Sequence, residues 1–494
     1  MPRFSLSRRF VSAAMTAALL SGCATVGPDY AGAPDAAPQA GARGAFLRAD
    51  AAAFLRTAPD PDARWWEALG DPQLDRLIER GLSGSPDLAA ANARVAQARA
   101  ALAATRTAVL PTINTSFAAP YLNVPGNIAG GNGGGRDEIN AFNLGFDASW
   151  EIDLFGGTRR KLEAAEARAE QAQAAAADAR VTLSAEIARA YIGLRARQAL
   201  AALQHRQAEI DRELAALAQQ RFAAGMTGEQ PVNAARARAF ASEAELAQSE
   251  AEIRVLADQL AVLAGQEPGT LDDLLAANGA IPVPPAQVAI GDPARMLRQR
   301  PDIRMAERRL AAASADIGAR MADRFPRITF LGLLGLGGQN IGDVLDPGSI
   351  VGIALPQIKW TLFDGGRANR QVEAARSAFA EAEANYRSAV LAALQDAESA
   401  LGRFGAKRIG FGKAVDAEAR ARRTLGLQSQ RLAAGTIARP AALEAEREAI
   451  EAAKAAASAR AELTTAFIAV EKALGLGWMA ANHTPGPGAS GADK

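Results

Sequence analysis

The segment Phe142-Asn143-Leu144-Gly145-Phe146-Asp147-Ala148-Ser149-Trp150-Glu151-Ile152-Asp153-Leu154 alternates without a break. Phe142, Leu144, Phe146, Ala148, Trp150, Ile152 and Leu154 are apolar, and the residues between them are polar or glycine. Period-2 alternation marks a strand with one apolar and one polar face. Strands of soluble sheets average about 5–6 residues. A transmembrane barrel strand needs about 9–11, apolar towards lipid and polar towards the lumen. This segment fits the second case. Val351, Ile353 and Leu355 alternate likewise, then the phase shifts at Pro356 to Ile358, Trp360 and Leu362. A bulge at Leu355-Pro356 is the expected cause. Weaker partner strands are expected at 113–124 and 328–340, beside the stronger ones at 141–154 and 350–362. Gly126 to Glu138, glycine-rich at its centre, reads as a long outer loop.

Around these strands the chain repeats itself. Pro86-Asp87-Leu88 opens a helical stretch that ends at Leu110-Pro111, and Pro301-Asp302-Ile303 opens one that ends at Phe325-Pro326, at a common offset of 215. Proline suits a first helical turn and stops a helix that runs into it. Trp150 to Gly157 (WEIDLFGG) matches Trp360 to Gly366 (WTLFDGG), and Arg221 to Gly225 matches Arg431 to Gly435 at an offset of 210. Residues 86–265 and 301–475 are therefore two copies of one unit. Each runs helix, two strands, long helix, turn, helix.

Thr158 to Ala224 holds no proline and only Gly193, and Arg367 to Ala434 holds no proline. Each stretch of about 66 residues is roughly 100 Å long if straight. Ile187, Tyr191, Leu194, Leu203, Ile210, Leu214 and Leu217 recur at spacings of the coiled-coil kind, as do Val390, Leu394, Ala397, Leu401, Phe404 and Phe411. An amphipathic helix of a compact domain rarely exceeds about 25 residues, so long coiled-coil helices are expected. Alanine, common throughout, suits closely spaced helices.

Composition removes other classes. The chain has 494 residues, 55 Lys+Arg against 54 Asp+Glu, one Cys and two His. Nucleic-acid binding would show a basic excess. One Cys excludes a disulfide framework and a multi-Cys zinc site. His205 lies on a long helix beside Arg206, and His483 lies in the Gly/Pro-rich tail. Gly335-Leu336-Gly337-Gly338-Gln339-Asn340 lacks the last glycine of a dinucleotide fingerprint and opens no helix. No phosphate loop and no nucleophile elbow occurs. No catalytic residue, cofactor or metal site is expected. Seven Met and two His give no sign of a copper or silver relay.

The N-terminus reads as a targeting signal. Arg3, Arg8 and Arg9 precede a short apolar run, Val11 to Leu20, which ends in Leu20-Ser21-Gly22-Cys23. The run is too short to span a bilayer. A small-residue site directly before a Cys resembles the lipobox of bacterial lipoproteins, where cleavage exposes the Cys for acylation. The alternative is a plain secretory signal with an incidental Cys. Cys23 is the only Cys and stands at the one position a lipobox requires, which favours lipidation. Ala24 follows it, and by resemblance to lipoprotein sorting this directs the chain to the outer membrane. Residues 27–61, rich in Ala, Pro, Gly and Asp, read as a tether or an irregular wrap. No later stretch has 18 continuous apolar residues.

Four strand candidates cannot close a membrane barrel, which needs at least eight, and lipid forbids an open edge. Several chains are required. Three would supply twelve strands; the count alone does not select three.

Further landmarks follow the lipobox: Val26-Gly27-Pro28-Asp29-Tyr30, Trp65-Trp66, Asp71-Pro72-Gln73-Leu74-Asp75, Leu77-Ile78, Ser85-Pro86-Asp87-Leu88 and, at the end, Ala473-Leu474-Gly475-Leu476-Gly477-Trp478. In this order they resemble the NodT-type outer membrane factors, the lipoprotein branch of the TolC-like efflux channels, over roughly residues 20–478. The resemblance implies a mainly α fold with a membrane β-barrel: a homotrimer with a twelve-stranded barrel in the outer membrane and a periplasmic α-helical tunnel. It implies a passive exit duct for small molecules that works with a periplasmic adaptor protein and an inner-membrane pump of the RND class. On this reading residues 1–22 are the signal and 23–85 the acylated tether and equatorial segment. Residues 266–300 link the two copies and 476–494 form a flexible tail.

The resemblance also places function at the helical hairpin tips, which close the periplasmic end and dock the adaptor. By match these are Arg221 to Thr227, including Gly225 and Met226, and Arg431 to Ile437, including Gly435 and Thr436. The Arg-x-Ala-Ala-Gly motif is equally a helix C-cap. Relatives tend to carry acids beyond the second tip. Here Glu444 stands at one such position and Ala441 at another; Glu229 is the nearest acid in the first copy, and Pro231 takes a position often acidic. Symmetry-related carboxylates would attract cations. Glu444 is equally a first-turn helix acid favoured by the dipole. Two competing readings remain: a lipid-anchored periplasmic coiled-coil adaptor without a pore, and the same fold used for type I protein secretion. Duplication and the long alternating strand favour the channel over the first, and the NodT-like lipoprotein features favour small-molecule efflux over the second.

Overall fold

The computed structural model describes residues 25–49, 52–55, 64–125, 136–277 and 279–477. Cys23, His483 and the centre of the loop at 126–135 lie outside them. The seven principal helices are α1 (Pro72–Gly84), α2 (Pro86–Thr107), α3 (Gly157–Ala223), α4 (Glu229–Leu263), α5 (Pro301–Ala322), α6 (Arg367–Ala433) and α7 (Arg439–Leu474). The principal strands are β1 (Thr112–Ala118), β2 (Tyr121–Pro125), β3 (Arg136–Asn140), β4 (Phe142–Ile152), β5 (Arg327–Gly338) and β6 (Ile350–Lys359). Helices α3 and α6 have 67 residues each. The chain divides into two compact units, Met1–Pro34 with Val95–Gln171 and Ala306–Tyr386, and Asp35–Arg94 with Ala172–Met305 and Arg387–Lys494. Each unit takes residues from both copies of the duplicated sequence.

In the first unit, β1, β4, β5 and β6 form one antiparallel sheet in that order. Two details differ from the sequence reading. The first partner strand is broken: β1 ends at Ala118, and β2 pairs with β3 in a separate hairpin. Pro120, without an N–H, interrupts the ladder, and its carbonyl accepts from Ala141 N at 3.1 Å at the hairpin's base. Residues 136–138 of the expected outer loop are thus strand. Secondly, there is no bulge at Leu355-Pro356. Pairing runs one-to-one from Arg327↔Lys359 to Leu336↔Ile350, through Phe330↔Pro356. Strand β6 is the edge of the four-stranded sheet, where a proline costs the ladder nothing when its ring faces away from the partner.

The helix-to-strand junctions of the two copies are tied alike. Trp150 Nε1 donates to Val109 O at 2.9 Å, and Trp360 Nε1 to Arg324 O at 3.2 Å. The Val26–Tyr30 motif also has a structural role. Val26 N donates to Phe155 O, and buried Arg160 donates to Val26 O, Gly27 O and Asp29 Oδ1. Gly27, at φ 97°, lies so close to Gly318 that a Cβ there would stand 2.3 Å from the Gly318 Cα. Tyr30 Oη donates to Glu307 Oε1 at 2.9 Å.

The second unit holds the main core. Trp65, Trp66, Leu74 and Ile78 pack with Tyr191 and Leu194 of α3, Leu260 of α4, Phe404 of α6 and Phe467 of α7. The heptad residues face inward as expected: Ile187, Tyr191, Leu194, Ile210, Val390, Ala397, Leu401 and Phe404 are buried. Fully buried Ala188, Ala208 and Ala261 leave room for close helix approach. Every side-chain nitrogen of one buried cation, Arg195, has a partner. It donates to Tyr191 Oη, Gln198 Oε1, Ala277 O and Gln73 Oε1 at 2.5–3.0 Å. Tyr191 Oη in turn donates to Asp71 Oδ2 at 2.6 Å, while Asp71 Oδ1 caps α1 by accepting from Gln73 N and Leu74 N.

Candidate functional site

Two features of the chain bear on transport, one in each unit. In the sheet, directly opposed residues of an antiparallel pair share a face, so the register sorts the side chains. One face carries Ile113, Phe117, Leu144, Phe146, Trp150, Phe330, Leu334, Ile350 and Ile358 and no charged residue. These large apolar side chains are exposed. The opposite face carries Asn114, Asn143, Asp147, Ser149, Glu151, Arg327, Gln357 and Lys359. A broad exposed apolar face marks contact with membrane or protein, and a polar reverse side fits water.

In the second unit, α3 and α6 end in the same cap. Gly225 N donates to Phe222 O and Met226 N to Arg221 O, both at 2.9 Å. Gly435 N donates to Leu432 O and Thr436 N to Arg431 O, again at 2.9 Å. This is the Schellman pattern, with Gly225 at φ 72° and Gly435 at φ 70° supplying the left-handed residue. Thr436 Oγ1 adds a bond to Arg431 O at 2.9 Å. Arg221, Met226, Arg431 and Thr436 are exposed, and Thr227 and Ile437 are half-buried. A cavity of about 500 Å³ opens beside the second tip, lined by Thr424, Leu427, Gln428, Gln430, Arg431, Ala434 and Thr436.

The expected acids sit differently. Glu444 is the sixth residue of α7, in the second turn and not the first as the dipole reading expects, and it meets Arg447 Nη2 at 2.9 Å and Arg238 Nη1 of α4 at 3.4 Å. Arg447 Nη1 lies 3.9 Å from the buried Asp211 on α3. Glu229 is exposed, and its carboxylate accepts from Asn233 on its own helix at 3.4 Å. No ion pair or hydrogen bond joins Glu229 to Glu444 among the described residues. The same helices hold further pairs. Arg439 forks onto Glu213 at 2.8 and 3.0 Å, and Arg206 bridges Glu446 and Glu209 at 2.7 and 2.8 Å. The hydrogen bond from Arg439 holds the Glu213 carboxyl below its ordinary range, and that from Arg206 does the same for Glu209. Spacing along one helix accounts for Glu444–Arg447 and Arg206–Glu209, three residues apart, but could not reveal the pairs of Arg238 with Glu444, Arg439 with Glu213 and Arg206 with Glu446, which join different helices. Among the described residues no cluster of His, Cys, Asp and Glu is placed to hold a metal ion, and no helix is long and apolar enough to cross a membrane.

A profile of the family described as outer membrane efflux protein matches residues 77–266 and 293–476. The chain belongs to that family. It is 30% identical over 392 residues to nodulation protein T of Rhizobium leguminosarum bv. trifolii, covering 78% of this chain and 79% of that protein. It is 30% identical over 437 residues to the pyoverdine export outer membrane protein OpmQ of Pseudomonas aeruginosa, covering 84% of this chain and 88% of that one. The solved outer-membrane channel OprN superposes with a TM-score of 0.81 at 32% identity, covering 92% of this chain and 99% of that chain. The fold is that of these channels, a helical tunnel with a barrel, and the efflux-protein chain is an outer-membrane component of efflux.

Proposed function

We propose that this efflux protein is the exit duct of a tripartite pump. Three copies close one barrel, each giving β1, β4, β5 and β6. The observation that carries this reading is the four-stranded sheet with one charge-free apolar face. It supplies half the strands a barrel needs at minimum, and β1 and β6 are its edges. Lipid tolerates no open edge, so the edges pair with those of other copies. Cys23 is acylated and anchors the chain, with residues 1–22 removed. The repeats at 86–265 and 301–475 place six similar helical hairpins about the trimer axis. The tips at 221–227 and 431–437 meet a periplasmic adaptor; the exposed caps and the cavity beside the second tip support that docking. The partner pump is of the inner-membrane RND class and drives transport, so no catalytic step belongs to this chain. Glu444 serves the closed tip through its pairs with Arg238 and Arg447.

The test is the native mass of membrane-purified protein in detergent. Three copies, each beginning at Cys23 with acyl mass, are expected. A monomer that stays soluble without detergent once Cys23 is replaced would leave the sheet edges unpaired and sink the channel in favour of the poreless adaptor.

A further inference from the structure

The unbroken register of β6 has a chemical result. Opposed residues share a face, so Asp147, Leu333 and Ile353 form one row, and Ser149, Leu331 and Leu355 the next. Val351 stands on the same face. This is the face turned away from the apolar one, the lumen side of a closed barrel. A lumen wall is ordinarily polar, and β1 and β4 obey that rule. Strands β5 and β6 do not: Leu331, Leu333, Val351, Ile353 and Leu355 make an aliphatic stripe beside the acidic strand. The sheet dips here into a cavity of about 320 Å³ lined by Asp147, Ser149, Leu331, Leu333, Ile353 and Leu355 among others. That volume lies at the lower end of small-ligand pockets, about 300–1,000 Å³. Leu331, Ile353 and Leu355 are at least 37% exposed in the single chain. No guanidinium or ammonium of the described residues pairs with Asp147.

We propose that this stripe and Asp147 form a lumenal binding site for amphipathic cations, organic molecules with an apolar body and one positive charge. The proposal rests on the channel reading above, which makes this face the inner wall. The aliphatic stripe removes the ligand's apolar body from water. The Asp147 carboxylate at its border pairs with the charge. Neutral and anionic molecules lack that second contact. Three copies would alternate three polar and three aliphatic arcs around the lumen, giving three equivalent sites.

The test is single-channel recording of the purified full chain in planar bilayers, with tetraphenylphosphonium as probe. Tetramethylammonium supplies the charge without the apolar body, and triphenylphosphine oxide the body without the charge. Tetraphenylphosphonium is expected to block the current at a concentration at least tenfold below either control. The block should weaken about tenfold in Asp147→Asn and in the pair Leu333→Ser with Ile353→Ser. In each variant the unblocked current, whatever its size, shows that the pore has assembled. Equal block by tetramethylammonium, or block unchanged in both variants, overturns the site while leaving the channel intact. No current from the wild-type protein overturns the channel reading and the site with it.

Discussion

Glu471 lies buried in α7, and burial pushes its carboxyl up to about 8. An ordinary glutamate titrates near 4.3. Between those values the folded chain holds a proton that the unfolded chain has lost, so stability falls as pH rises across that window. One such group gives a slope of about 1.4 kcal/mol per pH unit. Glu471→Gln removes the titration. Thermal unfolding of the variant should match wild type near pH 4, below the unfolded value, and exceed it at pH 8; parallel pH profiles would show that the acid is not held neutral. At this scale the sequence says little. Glu471 reads like any helical acid, and Arg195 like any helical arginine. Only the surrounding core pushes the carboxyl of the one up and gives each nitrogen of the other a partner.

The helix caps work at the next scale. Gly225 and Gly435 hold positive φ with open space around them, so only the backbone conformation resists a side chain. A β-branched residue there costs about 1–2 kcal/mol. Gly435→Val should lower the unfolding midpoint, whereas Ala434→Val, one residue earlier, should lower it less; equal losses would mean that crowding, not φ, is the cause. The Glu213–Arg439 pair joins α3 to α7. Because the folded-state value of Glu213 is depressed, its contribution is fully present above about pH 4.3 and is lost as pH falls through the lower folded value. Both side chains are partly exposed, so the coupling is at most about 1 kcal/mol. A double-mutant cycle of Glu213→Ala and Arg439→Ala should give a positive coupling at pH 7 that declines as the pH is taken down through the folded-state value. Persistence in acid would mean packing rather than charge. The caps were legible because Arg-x-Ala-Ala-Gly is a local pattern; the pair was not, since its members are far apart in sequence. The phase change at Pro356 is visible in the sequence, but no bulge causes it. Strand β6 is apolar on both faces in different stretches, which imitates a bulge.

For the whole molecule, the two faces of the sheet predict opposite tolerances. A lysine at Phe146 would sit on the lipid side and cost about 2–4 kcal/mol at the bilayer midplane. Ser149→Lys places the same charge on the lumen side. The yield of detergent-extracted trimer should fall sharply for Phe146→Lys and stay near wild type for Ser149→Lys; the reverse order would invert the barrel. The sequence alone determined the duplication, the long strands, the heptad helices and the caps, because each acts between near neighbours and repeats at its own period. Tertiary structure alone decided that Arg238 meets Glu444, that the Val26–Tyr30 motif is held by Arg160, and that Leu333 and Ile353 stand beside Asp147. Those contacts depend on register between segments remote along the chain, and a one-residue slip in a strand moves every side chain to the other face.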